Sequence, residues 1–66
     1  MPGGTRGKMK EHLEGVHRNC EAIKKHCALS QDLIAGKNPQ WTGAFEVLIA
    51  LAQNLDETAQ DLYGRA

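Results

Sequence analysis

Two runs of apolar residues, spaced alternately by three and four, constrain this chain more than any other feature. The first is Met9, Leu13, Val16, Cys20, Ile23, Cys27, Ser30 and Ile34; the second is Trp41, Phe45, Leu48, Ala52, Leu55, Ala59 and Leu62. That spacing is a heptad seam, which places one residue in every three or four on a single stripe of a helix packed beside a neighbour at a shallow angle. Along the second run large and small residues alternate, a pattern that lets close-packed helices interdigitate. Leu55→Ala is therefore expected to cost about 2–5 kcal/mol, as a core truncation.

Punctuation between the runs is confined to Gly36-Lys37-Asn38-Pro39. Gly36 suits the left-handed residue that ends a helix, Asn38 suits a cap and Pro39 a first helical position. Thr42, followed by Gly43, is a competing cap. The fold expected is all-α, one antiparallel helix–loop–helix hairpin over residues 1–66. It comprises a flexible glycine-rich tail at 1–7 with Thr5 as the cap, a first helix over about 8–35, a loop at 36–38 and a second helix over about 39–63, stopped by Gly64. A connection this short forces the helices to be antiparallel neighbours.

A chain of 66 residues lies near the lower limit for an independent hydrophobic core. Staples are not expected either, because Cys20 and Cys27 are seven residues apart on one helical face, about 10 Å along the axis and too far for an intrachain disulfide. Leu29, Leu33, Val47, Ile49 and Leu51 lie off the seam toward the loop end. A two-helix hairpin cannot bury a face that wide alone, so self-association into a four-helix bundle is expected, as a homodimer or higher oligomer. Those residues and Trp41 form the expected interface, with Trp41 also read as a plug against Leu33 or Ile34.

Charge separates the two halves while the whole is neutral. Residues 1–37 hold seven basic side chains against four acids, giving +3; residues 38–66 hold Arg65 against Glu46, Asp56, Glu57 and Asp61, giving −3. In an antiparallel hairpin Asp56, Glu57 and Asp61 are expected near Arg6, Lys8 and Lys10, selecting orientation more than adding stability. The longest apolar run, Val47 to Ala52, has six residues, far short of the roughly 18 of a membrane span. No secretory pattern opens the chain, and thiols at core positions suit a reducing setting, so a cytoplasmic location away from membranes is expected.

Candidate chemistry is sparse. His17, Cys20, His26 and Cys27 offer nitrogens and thiolates that zinc or copper would accept. However, both cysteines occupy seam positions, where cysteine acts as a small hydrophobe, and the histidines flank the seam on opposite sides. No metal or other cofactor is therefore assigned. Catalysis is not expected: Cys20 with His17 would lack an enclosing pocket, and phosphate-loop and HExxH motifs are missing. A basic face of Arg18, Lys24 and Lys25 is a candidate nucleic-acid surface, although Glu14 and Glu21 pair with Arg18 and Lys25 at helical spacing, as on a solvated face. The expected role is that of a small regulator or adaptor that binds itself and another protein, with RNA or DNA as the alternative partner.

The predicted architecture resembles that of the Rop-type plasmid regulators, helical hairpins of similar length that dimerise into an antiparallel four-helix bundle and bind paired RNA loops. The resemblance is one of architecture, without a shared residue motif, and it implies an RNA-binding regulator as the alternative to a protein adaptor.

Overall fold

A computed structural model describes residues 2–34 and 37–65. Helix α1 spans Pro2–Leu33 and helix α2 spans Pro39–Arg65. They lie antiparallel along their length: Lys10 sits over the Tyr63 ring, His17 meets Asp56, Lys24 meets Gln53 and Gln31 meets the Thr42 carbonyl. Partner numbers in these pairs sum to between 73 and 77, so the helices stay in one register from the free ends to the loop.

Helix α1 starts earlier than the expected flexible tail allows. It reaches back to Pro2, a residue type without the backbone amide hydrogen that a first helical position leaves unpaired. Thr5 therefore lies inside the helix rather than capping it. At the other end, the Lys37 amide donates to the Ile34 carbonyl at 2.9 Å. Gly36, expected to end the helix, lies outside the described residues. Helix α2 begins at Pro39, so Asn38 and not Thr42 precedes it; the Asn38 carbonyl accepts from the Trp41 and Thr42 amides at 3.0 and 3.2 Å. Gly64 does not stop α2, which continues to Arg65.

Between the helices the observed seam differs from the expected one. Cys20, Cys27, Ala52, Asp56 and Ala59 are buried, with Leu13, Val16, Ser30, Ile34, Phe45 and Ile49 half-buried around them. On α2 the contact line runs Phe45, Ala52 and Ala59, with Ile49 and Asp56 covered beside it. Phe45, Ala52 and Ala59 were expected there; Leu48 and Leu55 were not displaced by accident but by geometry. A helix crossing a neighbour presents one row to it and two flanking rows, each turned roughly 50° aside. Ile49 and Asp56 occupy one flank, while Leu48, Leu55 and Leu62 occupy the other and remain about half exposed. Met9 and Ile23 of α1 are likewise exposed on the leucine side.

The hairpin is thus a slab with a backbone extent of 55 × 15 × 11 Å and two unlike broad faces. Small residues hold the middle, where they let two helices approach closely. Leu48, Leu51, Leu55, Leu62, Ile23 and Met9 make one face apolar. The opposite face carries His17, Glu21, Lys24, Gln53, Asp56 and Gln60. No helix among the described residues is long and apolar enough to cross a membrane.

Candidate functional site

The polar face centres on Asp56, a carboxylate left only 3% exposed. Burial of an ionised group is costly unless donors and an opposite charge surround it, and three side chains supply them. The His17 Nδ1–H donates to Asp56 Oδ1 at 2.8 Å, and Gln60 Nε2, one turn along α2, donates to the same oxygen at 3.3 Å. Lys24 Nζ lies 3.9 Å from Asp56 Oδ2, pairs with Glu21 on its own helix and donates to Gln53 Oε1 at 2.9 Å. Gln53 in turn donates to Glu57 at 2.9 Å.

These contacts act on proton affinities in a definite direction. The hydrogen bond from His17, helped by Gln60 and Lys24, holds the Asp56 carboxyl below the usual aspartate range against the opposing effect of burial. The hydrogen bond to Glu21 is the main cause that raises Lys24 above the usual lysine value. Asp56 stays a carboxylate and Lys24 an ammonium at neutral pH.

Other charged residues depart from the expected pairing. Asp56 meets His17 and Lys24, two to five turns further along α1 than Arg6, Lys8 and Lys10, because the helices pair at a sum near 75. Asp61 pairs with Arg65 on its own helix at 3.1 Å, while Lys10 lies over Tyr63 at 5.0 Å from the ring centroid.

The remaining candidate residues fall into three groups. Leu29, Leu33, Trp41, Val47 and Leu51 are exposed, Leu33 most of all at 77%, so Trp41 does not plug the core against its neighbours; Ile49 is turned into the contact between helices and is not part of an outer surface. Of the basic residues Arg18, Lys24 and Lys25, Arg18 and Lys25 are exposed, but Lys24 is engaged by Glu21, Gln53 and Asp56. The sulfurs of Cys20 and Cys27 are unbonded to each other and buried, whereas His26 is exposed. Among the described residues, the group of three whose ligand atoms gather within 4.8 Å is instead His17, Glu21 and Asp56.

Sequence reasoning treated Asp56 as one of several exposed acids and so missed the centre of this network. The signal was present in the heptad count: position 56 falls a heptad after Ile49, on the flank opposite the leucines. A shallow open groove lined by Leu13, His17, Ala59 and Tyr63 adjoins the network. Comparison of the chain with protein-family models, curated proteins and solved structures finds no match.

Proposed function

We propose that this chain is a non-enzymatic helical interaction module that associates with a second copy through its leucine face, forming a four-helix bundle, and acts as a small regulator or adaptor in the cytoplasm. The observation that carries the reading is the unlikeness of the two broad faces. One is closed by a hydrogen-bonded network around Asp56; the other leaves Leu48, Leu51, Leu55 and Leu62 of α2 and Ile23 of α1 about half exposed.

Area supports a second copy as the cover. The 27 residues of α2 span about 40 Å, and a strip of that length across the 15 Å width projects to roughly 600 Å². That is about three quarters of the ~800 Å² that each partner of a stable interface buries. A face of this size and polarity would otherwise be an aggregation hazard. Buried unpaired cysteines suit a reducing compartment.

Sedimentation of the purified chain over a range of concentrations tests the proposal. The wild-type chain is expected to sediment as a dimer or higher assembly, and Leu51→Lys as a monomer, because the lysine would place a charge within the covered face. A wild-type chain that remains monomeric at millimolar concentration refutes it. The nucleic-acid reading relies on Arg18, Lys24 and Lys25, and the engagement of Lys24 with Glu21 and Asp56 weakens it. A salt-dependent mobility shift with RNA or DNA, abolished by charge removal at Lys24 and Lys25, would restore it.

A further inference from the structure

We propose that His17, Glu21 and Asp56 form a binding site for one divalent transition-metal ion of the zinc class, on the face opposite the leucines. His17 and Glu21 are one helical turn apart on α1 and so project from the same side. Asp56 approaches from α2. One imidazole nitrogen and two carboxylate oxygens, all within 4.8 Å of one another, are a borderline ligand set that zinc, cobalt or nickel accepts. Ligands about 2.0–2.2 Å from a shared ion are some 3–4.4 Å apart, so small side-chain rotations suffice to close the set around one.

A second observation points to a cation here. Lys24 already brings its ammonium to this place, paired with Glu21 and 3.9 Å from Asp56 Oδ2, and Asp56 is only 3% exposed. Lysine reaches the site on a flexible four-carbon stem and can swing to solvent. The side chains of His17 and Glu21 are 46% and 54% exposed, which leaves an entry path and room for water as a further ligand. Gln60, bonded to Asp56 Oδ1, would orient that carboxylate as an outer partner. The site therefore binds metal in competition with the ammonium of Lys24. Because it lies away from the leucine face, it stands whether or not the chain self-associates.

Titration of the chelator-treated full chain with Co²⁺, read by its visible absorption, and with Zn²⁺, read by competition with a chromophoric chelator, tests the assignment. One ion per chain is expected. His17→Ala and Glu21→Gln should each weaken binding by more than about tenfold, and Lys24→Gln should tighten it several-fold by removing the competing cation. Glu21 is a surface residue, so its variant keeps the hairpin intact, as circular dichroism would verify. Cys20→Ser and Cys27→Ser should leave the cobalt spectrum unchanged. The proposal is overturned if the wild-type chain takes up no Co²⁺ at millimolar concentration. It is equally overturned by binding that survives both ligand substitutions, by binding lost with Lys24→Gln, or by a spectrum that depends on the cysteines.

Discussion

Truncating Leu55 to alanine separates a bare hairpin from a bundle, because Leu55 is 53% exposed in the single chain. Full burial of a leucine side chain stabilises by about 1.5–3 kcal/mol. Covering the exposed half with a second copy therefore contributes about 1–1.5 kcal/mol per chain, or about 2–3 kcal/mol per symmetric dimer. Alanine retains part of that contact, while the cavity it leaves costs a comparable amount, so the figure stands for the substitution as a whole. At ~1.4 kcal/mol per factor of ten, the dimer dissociation constant should rise about 30- to 150-fold. Sedimentation equilibrium at several loading concentrations measures that constant, and circular dichroism at each concentration verifies that helicity persists. In a chain that works alone, the same change would remove a half-exposed side chain and leave the sedimentation profile untouched. A dissociation constant that moves less than about threefold refutes the reasoning, since Leu55 would then lie outside any interface.

Two further predictions rest on the hairpin itself. Gly15 lies within α1 with only Arg18 Nη2, at 3.9 Å, near the place of an added Cβ, so Gly15→Ala should stabilise by about 0.5–1 kcal/mol and raise the melting temperature by several degrees; a lower melting temperature would show that the position needs glycine. Asp56 has its native pKa lowered, first by the His17 hydrogen bond, so the unfolded chain binds its proton more readily than the folded one. Its contribution is then full above about pH 4 and is lost as pH falls through the native value. Thermal melts from about pH 6 to about pH 2 should show wild type losing more stability on acidification than Asp56→Asn, and parallel curves for the two would contradict the assignment.

The helical hairpin was legible because two sources agreed: a three-four apolar spacing in each half and the Asn38-Pro39 start of the second helix. The seam was legible only as an average. Phe45, Ala52 and Ala59 lie on the line joining the helices and were found; Leu48 and Leu55 belong to a neighbouring row that the same spacing describes equally well. A hydrophobic period counts the residues that seek cover but does not say which of two adjacent faces each will choose. Side-chain size contributed to the choice, since Cys20, Cys27, Ala52 and Ala59 are small enough to let two helices approach, whereas a row of leucines keeps them apart. Asp56 was hidden for a related reason: its partner His17 is 39 positions away, and only the register, which no local pattern encodes, brings them together.

That register gives the buried carboxylate a role that stability alone would not require. A buried ion pair is often no more stabilising than an apolar pair of the same shape, but breaking one leaves an uncompensated charge. With Asp56 fixed opposite His17 and Lys24, a slip of α2 along α1 or a turn about its own axis would strip it of the His17 hydrogen bond and the Lys24 charge. The same constraint decides which flank of α2 faces outward. Were Asp56 replaced in thought by leucine, positions 49 and 56 would match 48 and 55 in character, and the polar face would lose the buried charge around which His17, Lys24 and Gln60 gather. Asp56 with His17, Glu21, Lys24, Gln53 and Gln60 makes the slab one-sided, and one-sidedness would let two copies in the proposed bundle cover each other and stop at a closed assembly.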